Sequence, residues 1–201
     1  THVGRDVDHV KENDHVIVTW VSRKPIKGRP ERIPSGTKYN GNLVQGVLIY
    51  TWSENVLVDS QYVVAISKEH PTDVTSIIGC AVLTGAGAVL NTAKVRPGDS
   101  VAIMGVGGVG LSAVRTAAIL EANPIIVVDL NDEKLEFAKE FGATHAINAS
   151  RTDPVKEIVE ITNGGVDFAF DAIGVPATTE QILPATRGGG PGADNHGGMA
   201  I

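Results

Sequence analysis

The alternation of short apolar strands with amphipathic helical segments after residue 70 constrains the fold of this chain most strongly. Strands that are joined through helices lie parallel in one sheet, because the helix carries the chain back to the edge where the previous strand began. The pattern predicts strands at 100–104, 125–129, 145–148, 166–170 and from 199 onward, and helices near 107–121, 132–141, 154–162 and 176–183. This order is typical of an α/β fold with a doubly wound parallel sheet.

The first 70 residues have a different pattern. Runs rich in β-branched and aromatic residues alternate with turn formers, which predicts a β-rich segment. We expect strands at 15–20, 48–52, 56–58 and 62–66, with an exposed loop rich in proline and glycine at about 21–47. The change of pattern divides the chain into residues 1–75 and residues 76–201.

A glycine-rich turn follows the first strand of the second region. Gly105, Gly107 and Gly110 match the pattern G-x-G-x-x-G, and Asp129 ends the next predicted strand. In this setting the first glycine permits a tight turn, the second lets a pyrophosphate approach the backbone, and the third lets the helix pack close to its strand. The start of the helix favours an anion, because its N–H groups are free and its dipole is positive there. The sequence therefore predicts a dinucleotide-binding sheet of the Rossmann type.

Asp129 bears on which dinucleotide binds. A carboxylate at this position accepts hydrogen bonds from the hydroxyl groups of the adenosine ribose, whereas it repels a 2′-phosphate. Two unit charges about 4 Å apart repel by roughly 4 kcal/mol at an effective dielectric constant of about 20. We therefore predict NAD rather than NADP as the cofactor. Lys134 is within reach of the same ribose, or it is simply solvated.

Charge and composition exclude several classes of protein. The formal net charge is −6, which is unfavourable for binding a nucleic-acid backbone. No run of apolar residues reaches the roughly 18 needed to cross a bilayer, so we expect no membrane partner. The single cysteine, Cys80, excludes an intrachain disulfide and favours a reducing, cytoplasmic location.

Cys80 lies in a second motif, Gly79-Cys80-x-x-x-Thr84-Gly85-x-Gly87-Ala88. On the residues alone, a lone cysteine is more often a small buried side chain than a metal ligand. Taken with the glycine turn and Asp129, however, this motif resembles the zinc-containing medium-chain alcohol dehydrogenases. Further matches lie at 91–99, 140–144 and 164–167, so that the resemblance covers residues 70–180. The β-rich segment before residue 70 is similar to the later part of the family's GroES-like catalytic domain.

The resemblance implies a fold and a role for each matching residue. The fold would be a Rossmann NAD-binding domain at 76–201, incomplete at its C-terminus, preceded by part of a GroES-like domain at 1–75. Cys80 would be a ligand of a catalytic zinc ion, and Thr84 a catalytic residue that packs at the nicotinamide ring. The cofactor-binding positions would be Gly105, Gly107, Gly108, Val109, Gly110, Asp129, Lys134, Ile173 and Gly174. The last two would line the nicotinamide side of the crevice.

The implied activity is NAD-dependent, zinc-dependent interconversion of a small alcohol and an aldehyde or ketone, carried out by a homodimer or homotetramer. The family's other catalytic zinc ligands would precede Thr1, and both ends of the sequence look cut, so we expect part of a longer enzyme. Region 21–47 contains no cysteine, so no structural zinc is expected. Two alternatives stay open: a zinc-less reductase similar to quinone reductases, and a dinucleotide-binding module without turnover.

Overall fold

The structure is a computed structural model that describes residues 2–23, 38–43, 54–189 and 196–201. The chain divides into two compact units, Thr1–Cys80 and Ala81–Ile201.

The first unit contains two small antiparallel pairs of strands. Strand β1 (His15–Val18) pairs with β4 (Val63–Ile66), and β2 (Lys38–Tyr39) pairs with β3 (Asn42–Leu43). A turn of 3₁₀ helix, Ser60–Tyr62, leads into β4. The strands predicted at 15–20 and 62–66 are therefore confirmed as β1 and β4.

The remaining predictions for the first unit concern two strands, at 48–52 and 56–58, and the loop at 21–47. The strand predicted at 56–58 is wrong: these residues pair with no strand in the described ranges, and the side chain of Leu57 is 97% exposed. The strand predicted at 48–52 lies outside the described residues. Within the predicted loop at 21–47, residues 38–43 form the hairpin of β2 and β3, and the loop residues 24–37 and 44–47 are outside the described residues.

A long helical segment, Thr72–Ala93, was not predicted. It comprises α1 (Thr72–Thr75), a π-helical stretch (Ile78–Val82), α2 (Leu83–Gly87) and a second π-helical stretch (Ala88–Ala93). Glycine and β-branched residues are weak helix formers, which hid the helix in the sequence. Packing accounts for the glycine at 85: a Cβ there would lie 2.2 Å from the carbonyl oxygen of Val109, so only glycine fits.

By length and composition alone, this 22-residue segment is apolar enough to cross a membrane, with a mean hydropathy of 1.7 over its most apolar 18 residues. The sequence analysis expected no such segment. Core helices meet the same criterion; here 22% of the apolar window is buried, and Val89 and Ala93 lie in the core of the second unit. The helix is therefore weak evidence for a membrane partner.

The second unit is built on a parallel sheet with the strand order β7-β6-β5-β8-β9. The strands are β5 (Val101–Met104), β6 (Ile125–Asp129), β7 (His145–Asn148), β8 (Phe168–Asp171) and β9 (Met199–Ala200). The helices are α3 (Gly108–Ile119), α4 (Asp132–Glu140), α5 (Pro154–Thr162) and α6 (Pro176–Ala185). Each strand and helix predicted after residue 95 is confirmed to within a residue or two, and so is the doubly wound α/β fold.

Two hydrophobic cores cover the two faces of this sheet. Because successive side chains of a strand point to opposite faces, Val101 and Ile103 pack in one core with α3 and α4. Ala102 and Met104 pack in the other core with α5 and α6. All four side chains are fully buried, so β5 is the central strand of the unit.

The strand order reverses at β5, since β6 and β7 lie on one side of it and β8 and β9 on the other. In open parallel sheets, ligands bind at such a reversal, in the crevice beyond the carboxyl ends of the strands. Here that crevice lies beyond Met104, where the glycine turn begins. The fold thus places the candidate residues at the edge where a ligand is expected.

Candidate functional site

The glycine turn connects the carboxyl end of β5 to the first turn of α3. Gly105 has a φ of +90°, a left-handed conformation that favours glycine. A Cβ on Gly110 would lie 1.8 Å from the carbonyl oxygen of Gly105, so the helix packs as close to the strand as backbone permits. A Cβ on Gly107, by contrast, would meet nothing within 4 Å. Two glycines thus serve the packing of the turn, whereas the third borders open space.

The first N–H groups of α3 point out of the helix without a partner in the same helix. The N–H of Leu111 donates to the carbonyl oxygen of Gly107, 2.8 Å away, and closes the first turn. The N–H groups of Gly108, Val109 and Gly110 precede that bond, and no side chain caps the helix at Gly107. Free donors together with the positive end of the helix dipole form a binding site for an anion.

Asp129 ends β6 and lies beside the glycine turn. Its Oδ2 accepts a hydrogen bond of 3.0 Å from the N–H of Val106. Its Oδ1 accepts from the N–H groups of Leu130 and Asn131, at 2.8 and 3.1 Å. The carboxylate is half-buried, and an ionised carboxylate has about four acceptor positions, so it keeps capacity for one further donor.

Asp171 fixes the loop that follows β8. Its Oδ1 accepts from the N–H groups of Ile173 and Gly174, each at 3.0 Å, and from the hydroxyl of Thr178. Its Oδ2 accepts from the hydroxyl of Thr179 at 2.7 Å. Burial raises the pKa of the Asp171 carboxyl, but these donors outweigh burial, so its pKa lies below its ordinary value. Asp171 therefore acts as a cap of this loop.

The loop after β8 reaches the glycine turn through Ile173. A Cβ on Gly105 would lie 2.4 Å from Cγ1 of Ile173, which shows how closely this side chain covers the turn. Ile173 is nevertheless 49% exposed, so it presents an apolar surface at the same edge. The structure therefore brings together Asp129, the glycine turn and Ile173, as well as Gly174 of the same loop.

Thr84 lies on α2, whose neighbours in sequence contact the start of α3. A Cβ on Gly108 would lie 3.2 Å from Cβ of Ala81, and Gly85 contacts the backbone of Val109. The side chain of Thr84 itself is exposed. This arrangement places Thr84 next to the open end of α3 within the second unit.

Comparison with known proteins connects this geometry to a family. The sequence profile described as zinc-binding dehydrogenase matches residues 108–191. An S-(hydroxymethyl)glutathione dehydrogenase of Synechocystis is 42% identical over 94% of this chain and 58% of its own length. That of Saccharomyces cerevisiae is 35% identical over 93% of this chain and 55% of its own length. The chain belongs to the zinc-containing medium-chain dehydrogenase family.

Solved structures of the family agree with this assignment. The benzyl alcohol dehydrogenase of Acinetobacter calcoaceticus superposes with a TM-score of 0.79 at 34% identity, over 92% of this chain and 55% of its own. An alcohol dehydrogenase zinc-binding domain protein of Burkholderia ambifaria gives a TM-score of 0.63 at 44% identity, over 67% of this chain and 36% of its own. The chain thus spans little more than half the length of the curated relatives it matches.

The family's two cofactors fit the described residues to different extents. The open space at Gly107 and the free N–H groups of α3 fit the pyrophosphate of a dinucleotide. For zinc, the described residues contain no group of three or more His, Cys, Asp or Glu side chains that could hold an ion. Nothing in these residues therefore completes a zinc site around Cys80.

Cys80 differs from the small buried side chain that a lone cysteine favours, because it is exposed. It ends the first unit and lies in the π-helical stretch Ile78–Val82. It lines a cavity of about 500 Å³ within that unit, together with His15, Thr75 and Ser76. The structure thus leaves the role of Cys80 as a zinc ligand a prediction.

Two exposed residues, Leu130 and Lys134, follow Asp129 in the sequence. Lys134 is exposed, and no described residue pairs with its ammonium group, so its predicted contact with the ribose is untested. Leu130 was missed by the sequence analysis, although its side chain is 69% exposed directly after Asp129. An exposed leucine at this edge offers an apolar surface to a base attached to the ribose. The sequence feature that could have identified Leu130 is its position directly after a predicted buried strand.

Proposed function

We propose that this chain is the cofactor-binding part of an NAD-dependent oxidoreductase that interconverts an alcohol and an aldehyde or ketone. The observation that carries the proposal is the open N-terminus of α3 beside the carboxylate that ends β6. The names of the relatives add the substrate class, since S-(hydroxymethyl)glutathione and benzyl alcohol both carry a hydroxymethyl group.

In this proposal each part of the dinucleotide has a partner in the second unit. The pyrophosphate accepts hydrogen bonds from the N–H groups of Gly108, Val109 and Gly110, over the open space at Gly107. The adenosine ribose donates a hydroxyl to the remaining acceptor position of Asp129. The nicotinamide supplies the chemistry when NAD is bound, because its ring accepts a hydride from the alcohol.

The preference for NAD over NADP follows from the charge at Asp129. Its carboxylate accepts hydrogen bonds from three backbone N–H groups, which fix its position. A 2′-phosphate would face this fixed negative charge, and roughly 4 kcal/mol of repulsion corresponds to about a thousandfold in affinity. Mobile side chains and counter-ions reduce that factor, so we expect NADH to bind about a hundredfold more tightly than NADPH.

Zinc, assembly and location belong to the same proposal. Cys80 is one ligand of a catalytic zinc ion, and its remaining ligands lie outside the described residues. Thr84, next to the open end of α3, packs against the nicotinamide. A small alcohol is the substrate of a homodimeric or homotetrameric enzyme in the cytoplasm. The family membership supports the zinc part of this proposal.

Two measurements test the proposal at its two levels. The first titrates the chain with NADH and with NADPH and follows the fluorescence of the reduced nicotinamide. We expect NADH to bind more tightly, and we expect Asp129→Ala to narrow the difference while thermal unfolding reports on any loss of folding. The second measures zinc content and alcohol oxidation on the natural protein that contains this chain.

The outcomes separate the candidate functions. Preference for NADH, bound zinc and alcohol oxidation would support the proposal. Preference for NADPH without zinc would instead indicate a zinc-less reductase similar to quinone reductases. Binding of NADH without turnover would indicate a cofactor-binding module. Failure of the chain to bind either nucleotide would contradict all three.

A further inference from the structure

A hydrogen-bonded cluster lies next to the Asp129 turn, on the side away from the glycine turn. Its centre is Asn148, the last residue of β7, whose Cα is the register partner of Asp129. The amide Nδ2 of Asn148 donates to the carbonyl oxygen of Leu130 at 3.2 Å and to Oδ1 of Asp132 at 2.7 Å. Its Oδ1 accepts from the N–H and the hydroxyl of Ser150, at 2.9 and 2.6 Å. Every hydrogen-bonding position of this amide is therefore used.

The other oxygen of Asp132 is also engaged. Its Oδ2 accepts from the guanidinium of Arg151, three residues after Asn148. The hydrogen bond from Asn148, followed by the charge of Arg151, lowers the pKa of the Asp132 carboxyl below its ordinary value despite partial desolvation. Asp132 is the first residue of α4, so the cluster ties the end of β7 to the start of that helix.

This cluster holds the segment that orients the Asp129 carboxylate. Leu130 and Asn131 donate their N–H groups to Asp129, while the carbonyl oxygen of Leu130 is held by Asn148. The N–H of Ala149 donates to the carbonyl oxygen of Asp129 at 3.0 Å, which adds a second tie to the same strand end. The turn after β6 is thus fixed from both sides. Loss of the Asn148 amide would free the carbonyl oxygen of Leu130, which lies between the two N–H groups that bind the Asp129 carboxylate.

We propose that Asn148 is a positioning residue that sets the discrimination between NAD and NADP by fixing the turn from which Asp129 meets the adenosine ribose. This inference rests on the proposed dinucleotide function. A carboxylate in a fixed position accepts a hydrogen bond from the ribose hydroxyl of NAD and repels the 2′-phosphate of NADP. If the carboxylate is mobile, both the hydrogen bond and the repulsion become weaker. Loss of the Asn148 amide therefore weakens NAD binding and relieves the exclusion of NADP together.

The test compares Asn148→Ala with a control variant on α4, the helix that begins at Asp132. Glu136→Gln removes the exposed ion pair with Lys139 on α4 and leaves the Asp129 turn intact. Dissociation constants for NADH and for NADPH are measured by nucleotide fluorescence on the full chain, with thermal unfolding in parallel. For Asn148→Ala we expect NADH to bind about tenfold more weakly, because hydrogen bonds to the turn are lost, and NADPH to bind no more weakly than before. Glu136→Gln should leave both constants unchanged.

A second variant keeps the test usable if Asn148→Ala does not fold. Asp132→Asn preserves the size of the side chain but removes the negative charge of the carboxylate to which Asn148 and Arg151 donate. Like Asn148→Ala, it should bring the dissociation constants of NADH and NADPH closer together. Equal weakening of NADH and NADPH, or an unchanged ratio, would show a merely structural role and overturn the inference. If the unmodified chain binds neither nucleotide, the proposed function itself fails, which is a distinguishable result.

Discussion

The two edges of the parallel sheet both carry hydrogen-bonded aspartates, but only the carboxyl edge adds helix N–H groups that lack a partner in their own helix. At the carboxyl edge, Asp129 and Asp171 bind backbone N–H groups, and beside them the first N–H groups of α3 have no partner in their helix. At the amino edge, Asp167 accepts from the N–H and hydroxyl of Ser100, at 2.8 and 2.7 Å, and from the guanidinium of Arg187.

At the amino edge the donors and acceptors of this cluster are paired with one another. The hydroxyl oxygen of Ser100 accepts from the N–H of Asp167 at 2.9 Å, and Arg187 also donates to the carbonyl oxygen of His196 at 2.6 Å. The cluster connects the residues just before β5 and β8. Groups that hydrogen-bond to one another stabilise the fold, whereas N–H groups without a partner in their own helix are available to bind a ligand. Changes at the amino edge should therefore affect stability alone, and changes to the open donors should affect ligand binding alone.

Gly110→Ala should have the largest effect. It is an exception to the division between the two edges, because Gly110 lies at the carboxyl edge but its substitution should reduce stability. The added Cβ would lie 1.8 Å from the carbonyl oxygen of Gly105, a backbone atom that cannot rotate away. We expect the free energy of unfolding to fall by about 3 kcal/mol or more. Chemical denaturation measures this loss. A stability equal to that of the unmodified chain would show that the turn is more pliable than its geometry indicates.

Gly107→Ala sharpens the comparison within the same turn. A Cβ at this position meets nothing within 4 Å, so the thermal midpoint should stay unchanged. The methyl group would stand where the pyrophosphate approaches, and we expect the dissociation constant of NADH to rise roughly 30-fold. Fluorescence titration of NADH checks this effect, with Gly188→Ala as the control, because a Cβ there also meets nothing within 4 Å. Unchanged affinity would place the pyrophosphate elsewhere.

These two glycines also show how far sequence reasoning reaches. The pattern G-x-G-x-x-G, a buried strand before it and Asp129 after it predicted the turn, because each position has a separate steric requirement that the sequence displays. The alternation of strands and helices likewise predicted the order of the second unit. Local patterns of this kind are visible in a single sequence.

The parts that were missed depend on long-range contacts. The helical segment Thr72–Ala93 contains weak helix formers, and only its packing against α3 explains the glycine at 85. The strand expected at 56–58 has suitable β-branched residues but no partner strand among the described residues. The Asn148 cluster joins residues separated by up to 19 positions, and no periodicity points to it. Contacts between distant segments decide all three.

Asp167→Asn should have a moderate effect at the amino edge. It removes the charge that pairs with Arg187 while keeping a side chain of the same size, and hydrogen bonds to a charged group of this kind contribute about 1 to 2 kcal/mol. The affinity for NADH should not change, because this edge is opposite to the glycine turn. Asp99→Asn serves as the control, since the carboxylate of Asp99 accepts only the N–H of Arg96 among the described residues. A weaker affinity for NADH with Asp167→Asn would show that the amino edge also affects ligand binding, and it would contradict the division between the two edges.

The smallest effect expected is the pH dependence of the stability difference between the unmodified chain and Asp167→Asn. Burial raises the pKa of the Asp167 carboxyl, but hydrogen bonds from Ser100 and Arg187, with the charge of Arg187, outweigh burial and hold its pKa below the ordinary value. A carboxyl with a lowered pKa in the folded state contributes its full stabilisation above the ordinary value of about 4, and this contribution is lost as the pH falls through the folded-state pKa.

Subtracting the free energy of unfolding of Asp167→Asn from that of the unmodified chain isolates this contribution, because the other carboxyl groups titrate in both proteins. The difference should be constant from about pH 7 to 5 and should shrink as the pH falls below about 4. Denaturant unfolding at a series of pH values measures it. A difference that grows at low pH would mean that Asp167 is stabilised in its protonated form, and the amino edge would then be held by packing rather than by its charged cluster.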